Sequence, residues 1–526
     1  MRRLFSFCTA LFVLCWAAEH THAQSSPAAG QSNTQPPDPS KAQPPQPSTG
    51  QQPDPSTAQP DDPSNAQPPA QTAPTKQTPQ NPGVRSGGVN VGDAVTIGGY
   101  GSMRYEANNL DNPKPAGFDF RRFVLTTDAT PNDRLQAYVE IEFERLAQIE
   151  VERELERFED GAAFKEELEG GNGGEISIEQ MWGQFKFGDP FSVRFGQILP
   201  PVGRFNINHD DDRWDIPRRT LVDRNAPVLP VKTAWTELGI GAHGGVDVGK
   251  TGRLQYQAYV VNGALLDFTI EKVVETEEGE AILKQAAEFS LARGPVNGEG
   301  GVRAGTWRLA FSPTLSSEIA FSGYHGKYTP EFMDPITEKI NAFGVDGIYK
   351  RGSFAVEGEY IHSDFGNTDR VVEAFIDTVT GSTGTAPLAG AAGTETEFAI
   401  KDLTPSRQGF WIEGRYRFWP EGWKNSFLGK GFDNPHLSGV LRYERVTLHD
   451  ALEEVAIEHG EIERADEQTL RQERTTVGLA YRPLQSVVFS VAVEFNRRLE
   501  GDVLVFPRGH IANNYTSVLA GMAFGF

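Results

Sequence analysis

The segment LQAYVEIEFE, residues 135–144, alternates without a break. Leu135, Ala137, Val139, Ile141 and Phe143 form one series, and Gln136, Tyr138, Glu140, Glu142 and Glu144 form the other. Period two over ten residues is a strand with one apolar and one polar face. An earlier stretch, VTIGGYGSMRYEA, sets Val95, Ile97, Met103, Tyr105 and Ala107 against Thr96, Ser102, Arg104 and Glu106. The pattern returns over 117–128, 174–187, 190–199, 234–244, 251–262, 302–312, 315–326, 341–350, 352–363, 406–418, 436–448, 471–482, 485–498 and 512–526, sixteen candidate strands in all.

Short turns alternate with long excursions between these strands. The turns are Thr130-Pro131-Asn132-Asp133, Gly188-Asp189-Pro190, Gly249-Lys250-Thr251-Gly252, Ser312-Pro313-Thr314, Lys350-Arg351-Gly352 and Arg482-Pro483-Leu484. This asymmetry belongs to a transmembrane β-barrel, with short periplasmic turns and long outer loops. The segment WPEGWKNSFLGKGFDNP, 419–435, falls where a short turn is due; either it is an unusual periplasmic excursion or the count fails there. A soluble β-sandwich also alternates, but it spreads its aromatic residues through a core. Here Trp411, Tyr416, Trp419, Tyr481 and Tyr515 read as an interfacial girdle at strand ends. The chain closes on TSVLAGMAFGF, with Val518, Ala520, Met522, Phe524 and Phe526 on one face, like the last strand of outer-membrane proteins. The expected fold is therefore all-β, an antiparallel barrel of about sixteen strands.

The first residues, MRRLFSFCTALFVLCWAAEHTHAQ, read as a secretory signal cleaved after Ala23. Cys8 and Cys15, the only cysteines, lie within it, so the mature fold uses no disulfide. Residues 24–90 are rich in Pro, Gln and Ser and repeat PDPSKAQP, PDPSTAQP and DDPSNAQP. With no aromatic residue to seed a core, they read as a disordered periplasmic linker. Polyproline-like chain of that length spans on the order of 150–200 Å, which suits a spacer or a tether to cell-wall polymer. The net charge of −22 excludes a nucleic-acid partner, which would need a basic footprint.

Three stretches resemble the phosphate-selective porin O and P family: IGGYGSMRYE, FDFRRFVLTTDATPNDRLQAYVEIEFE and FGQILPPVGRFNINHDDDRWDIPRR. The resemblance covers about 93–526. It implies a sixteen-stranded barrel, usually a homotrimer in outer-membrane lipid, that passes small anionic solutes.

A porin selects by width and field, without covalent chemistry or a cofactor. The histidines, His209, His243, His325 and His362 among them, make no HExxH motif, and no GxSxG or P-loop is present, so no enzyme is expected. The run NINHDDD, 206–212, lacks the glycine and glutamate of a calcium loop. The alternation turns Arg104, Arg122, Lys186, Arg194, Arg308, Arg415, Arg417 and Arg442 inward. It also turns Glu106, Glu140, Glu142, Glu144, Glu237, Glu318, Glu357, Glu359, Glu413, Glu444 and Glu494 inward. Such a wall leans acidic. The loop after strand five, 200–233, which folds into the barrel in sixteen-stranded porins, carries Arg204, Arg213, Arg218, Arg219, Arg224 and Lys232.

Two readings of that loop stay open. The cations form an anion-selecting eyelet, or Asp210, Asp211, Asp212, Asp215 and Asp223 neutralise them in a network that only orders the loop. The loop 147–173, LAQIEVERELERFEDGAAFKEELEGGN, is strongly acidic and reads as a solvated helix at the outer mouth, which would repel anions. The leading function is passive diffusion of small anions such as phosphate. A general or cation-preferring porin, or a structural barrel tethering the membrane to the wall, are the alternatives.

Overall fold

The computed structural model describes residues 88–526 apart from 111–115, 146–148, 159–160, 171–174, 226–227, 232–233, 278–279, 297–302, 334–335, 381–395, 402, 453–454, 459–460, 465–466 and 502–513. The expected signal segment and linker through residue 87 lie outside the described residues.

Sixteen strands form one antiparallel ring: β1 (Val95–Asn108), β2 (Gly117–Asn132), β3 (Leu135–Glu144), β4 (Glu175–Gly188), β5 (Phe191–Ile198), β6 (Glu237–Val248), β7 (Gly252–Val261), β8 (Ala304–Thr314), β9 (Ser317–Lys327), β10 (Lys339–Arg351), β11 (Phe354–Phe365), β12 (Ser406–Phe418), β13 (His436–Leu452), β14 (Glu467–Leu484), β15 (Val487–Glu500) and β16 (Asn514–Gly525). Each strand pairs with its sequence neighbour, and β16 closes on β1, with Tyr100 opposite Gly525 and Asn108 opposite Ser517. Closure matters because a lipid-facing edge would leave backbone N–H and C=O groups without partners. The alternation sorts as expected. Met103, Phe195, Phe321, Ile412, Leu441 and Phe495 are exposed on the outer face, while Arg122, Glu142, Arg308, Glu413 and Arg442 are buried inside.

Three of the proline-marked turns sit two residues later than the sequence suggests. Register shifts fall between Ala129 and Asn132, Phe311 and Thr314, and Tyr481 and Leu484, so Pro131, Pro313 and Pro483 each lie in a β-bulge. A bulge is where a residue without an N–H fits in a strand. The strands then run on to a two-residue turn.

The segment 419–435 joins β12 to β13 at the same end as the short turns, so the count of sixteen stands and the excursion is real. Trp419 stacks on Tyr481 at 6.1 Å, and Trp423 packs edge-on against Trp419 at 6.0 Å. Two girdle assignments need correction. Trp411 shares the parity of Glu413 and Arg415, and it is buried inside the lumen. Tyr515 likewise turns inward and packs on Leu110.

Strand pairing also begins before residue 93. β16 reaches only Gly99, where Phe526 exchanges both backbone hydrogen bonds with that glycine. The first residues of β1 would be left as an edge, and Val89–Val91 pairs there, Val91 opposite Val95. Residues 89 and 90, expected to lie in the linker, are thus part of a strand.

The acidic loop 147–173 is not a helix. Ile149–Phe158 and Gly161–Gly170 pair as an antiparallel hairpin. Glutamate-rich composition favours a helix, but IEVERELERF alternates Ile149, Val151 and Leu155 with Glu150, Glu152, Glu154 and Glu156. Period two prevailed. A second long hairpin, Leu265–Glu277 with Glu280–Ala292, meets the helix Thr368–Thr380, where Phe289 packs edge-on against Phe375 at 4.8 Å.

Candidate functional site: the loop inside the lumen

The chain leaves β5 through Pro200-Pro201 and turns into the barrel at Gly203, which has φ 76°. A Cβ there would lie 2.7 Å from Ile361 Cδ1 and 3.2 Å from Glu359 Oε2, so this position excludes a side chain on both counts. A single helical turn follows, Arg204–Ile207. Its first N–H groups, which have no partner within the helix, donate to Glu359 of β11 from Arg204 and, at 3.0 Å, from Phe205. The Arg204 guanidinium bonds Glu357, meets Glu318 at 3.1 Å and lies 3.9 Å from Asp346. Burial opposes the charge on Arg204, but Glu357, Asp346 and Glu318 outweigh it and raise the pKa above the ordinary arginine value. Asn206 ties the two ends of the loop. Its amide donates to the Pro200 carbonyl at 2.9 Å, and its oxygen accepts the Trp235 N–H at 3.0 Å.

Apolar packing holds the middle of the loop. Phe205 stacks on Trp214 at 4.6 Å, and Trp214 meets Trp411 edge-on at 5.5 Å. Val202, Leu221, Val222 and Val228 join Tyr138, Trp182 and Ile361 of the wall in the same buried cluster. Each such large side chain contributes about 1.5–3 kcal/mol on burial. A loop of charged composition thus has a hydrophobic core of its own inside the barrel.

The tip is ionic. His209 is buried, with Nδ1 2.8 Å from the Asn206 carbonyl and Nε2 3.2 Å from Glu179. Both nitrogens face oxygen acceptors, so the ring serves as a double donor, an imidazolium. Burial lowers the His209 pKa, but the Glu179 carboxylate overrides that and holds it above the usual histidine value. Glu179 reaches the lumen because β4 bulges against β3, where Gln180 faces Glu140 and Ile178 faces Ile141. Arg213 pairs with Asp210 at 3.0 Å and donates to Asn208 at 3.0 Å. Asp211 accepts from Ser102 at 2.7 Å and lies 3.5 Å from Arg122. Burial would raise the Asp211 pKa, yet Arg122 and Arg219 hold it well below the carboxylate range.

The far half of the loop is gripped by wall arginines. Arg482 of β14 bonds Asp215 at 2.6 Å and donates to the carbonyls of Asp212 (2.9 Å), Trp214 (3.0 Å) and Gln485 (3.0 Å). Arg442 donates to the Arg218 carbonyl at 3.2 Å and Arg474 to that of Arg219 at 2.6 Å. Glu444 accepts the Leu221 N–H at 2.9 Å. Arg218 itself pairs with Glu494 at 2.7 Å and with Glu106. Arg219 differs. It is 6% exposed, its nearest carboxylates are Asp223 at 3.7 Å and Asp211 at 3.8 Å, and none of its three guanidinium nitrogens makes a hydrogen bond.

The other expected residues are also placed. Arg104 (Glu106, 3.3 Å), Arg122 (Glu142, 2.8 Å), Arg308 (Asp346, 2.8 Å) and Arg415 (Glu413, 3.3 Å) line the wall as ion pairs. Arg194 instead donates to Gln184 at 2.9 Å and lies 3.9 Å above the Trp182 ring. Arg224 sits in the turn Leu221–Asn225; its side chain and Lys232 lie outside the described residues. The expected pairing of loop arginines with loop aspartates holds for Arg213 and, at longer range, Arg219. Arg204 and Arg218 reach wall glutamates instead, because strands bring those carboxylates within a side chain's length.

Sequence reading overlooked Arg474 and Arg482, although both share the inward parity of Gln472, Thr476 and Ala480. It could not have found Arg121 or Glu179, since bulges put them out of phase.

Residues 98–292 match the family model described as phosphate-selective porin O and P. Over that span the chain is similar to the porins of that family. An uncharacterized protein of Aquifex aeolicus is 32% identical over 187 residues, which is 35% of this chain and 34% of that one, so the match spans about a third of the relative's length. Among solved structures, an anion-selective porin from Comamonas acidovorans aligns over 82% of this chain and 99% of its own, at 11% identity and TM-score 0.43. OmpF of Salmonella typhi, in complex with daunomycin, aligns over 82% and 97%, at 9% identity and TM-score 0.44.

Proposed function

We infer that the protein is a passive diffusion channel of the bacterial outer membrane for small hydrophilic solutes, with anions, phosphate among them, as its preferred class. Arg219 carries this reading: a guanidinium inside the barrel whose nitrogens have no hydrogen-bond acceptor. A guanidinium fork pairs with phosphate or carboxylate oxygens and stays charged across physiological pH. Arg204 and Arg218 are committed to wall carboxylates and act as anchors. Arg213, at 29% side-chain exposure the most open of the described loop cations, is the first a solute would meet.

A weak cation preference is the second reading. It is favoured by Glu140 and Glu359, each of which keeps one carboxylate oxygen without a hydrogen-bond partner in the lumen. Reversal potentials across planar bilayers in a salt gradient, with and without phosphate, separate the two. Anion selectivity with phosphate block supports the first reading; cation selectivity without block replaces it with the second.

The assembled form is a homotrimer, and the chain before residue 88 is a cleaved leader followed by a periplasmic spacer. Deleting residues 30–85 should leave conductance intact, and loss of cell-wall association in that variant would make the spacer a tether.

A further inference from the structure

Strands β13, β14 and β15 carry a second charged feature, on the outside of the barrel. Counted from their short-turn ends, the outer faces are apolar or aromatic at first: Leu441 and Tyr443 on β13, Leu479 and Val477 on β14, Val491 and Phe495 on β15. Then Arg445, Glu473 and Arg497 appear directly opposite one another. They are the tenth (436 to 445), twelfth (484 to 473) and eleventh (487 to 497) residues of their strands. A tilted strand crosses the hydrocarbon in about 9–11 residues, and a lipid-facing arginine costs about 2–4 kcal/mol at the midplane but almost nothing at the interface. These side chains therefore emerge at the headgroups of the outer leaflet.

Their pairing is incomplete. The Tyr443 hydroxyl donates to Glu473 at 2.8 Å, and Arg497 lies 3.6 Å from the same carboxylate with its side chain 63% exposed. Arg445 has no ion-pair or hydrogen-bond partner among the described residues. One row further out, Arg471 and Glu500 neutralise each other at 3.1 Å. The register slips between Arg471 and Gln472, and beside the slip opens a polar cavity of about 500 Å³. Gln468, Arg497, Arg498 and Asn514 line it. Arg445, Arg471 and Arg497 against Glu473 and Glu500 leave this patch basic on a chain whose net charge is −22.

The geometry points to a binding site for the phosphate-bearing headgroup of an outer-leaflet lipid, held by Arg445 and Arg497. Phosphate oxygens satisfy the unpaired Arg445 guanidinium, a charge-assisted contact of the strong kind, while the acyl chains lie along Leu441, Val477 and Phe495. A lipid is favoured over a free anion because the row sits immediately above exposed apolar side chains that only a lipid would cover.

The test is native mass spectrometry of the full-length protein released from detergent micelles containing lipid A, a diphosphorylated, acylated diglucosamine, or its dephosphorylated form. The unsubstituted protein should retain lipid A. Arg445→Gln with Arg497→Gln should lose roughly tenfold or more of that retention, two surface cations being removed. Dephosphorylated lipid should behave like the double variant, and millimolar inorganic phosphate should not displace the lipid. Equal retention by the double variant, or of the dephosphorylated lipid, overturns the proposal. Displacement by inorganic phosphate overturns the lipid assignment. Arg497→Gln alone alters one exposed side chain, so the test survives if the double variant does not fold.

Discussion

The two ends of the lumen loop are held in different ways. At 203–207 the Arg204 and Phe205 N–H groups and the Arg204 guanidinium are directed at carboxylates of β9, β10 and β11. At 215–223 the bonds run both ways: arginines of β13 and β14 reach into the loop for its carbonyls and for Asp215, while Arg218 and the Leu221 N–H meet wall glutamates. The first end uses up its loop cation. The second leaves Arg219 inside the barrel without hydrogen bonds, with Asp223 and Asp211 at 3.7 and 3.8 Å. Loop charge alone therefore does not tell which of its cations is hydrogen-bonded to the wall.

The strongest way to break this contrast is Arg482→Ala. It strips the far end of one ion pair and the carbonyl bonds and leaves Asp215 buried alone, a loss of about 3–5 kcal/mol of docking energy. Noisy single-channel current and new protease sensitivity within 210–225 are expected, with the barrel itself intact by heat-modifiable migration. Gly203→Ala attacks the near end. A left-handed φ and a 2.7 Å contact with Ile361 should cost about 1–3 kcal/mol, read as a lower unfolding temperature. Arg219→Gln removes a cation that makes no hydrogen bond, so it should lower the unfolding temperature less than either while shifting the reversal potential toward cations. An unchanged potential would place Arg219 in the structural network.

The smallest effect is on pH. His209 has a raised folded pKa, so its pairing with Glu179 contributes fully below the ordinary histidine value and is lost as pH rises through the raised one. For Asp215, burial raises the pKa but Arg482 lowers it below the usual value. Its contribution is present above the ordinary carboxylate range and is lost as pH falls through the lowered value. The loop should be held best in mildly acid to neutral solution. Channel noise that increases on the alkaline side, and no longer does so in His209→Gln, would locate the switch at the tip.

The barrel was legible because its cause is local and repeated. Alternation such as that of 135–144, repeated through sixteen segments and ended by Phe526, leaves few folds able to wet one face and bury the other in lipid. Inward parity likewise gave Arg104, Arg122, Arg194, Arg308 and Arg415. Composition misled where periodicity would have served, as at the hairpin 149–170 and at Trp411.

What the sequence determined by itself is a ring of strands, their facing and a loop dense with both charges. Only the tertiary structure decided who pairs with whom. Arg204 and Glu357 are 153 residues apart, Arg482 and Asp215 are 267 apart, and two bulges turn Arg121 and Glu179 inward against the pattern. Ion pairs depend on distance through space to within a few ångströms, and that distance exists only once the ring has closed around the loop.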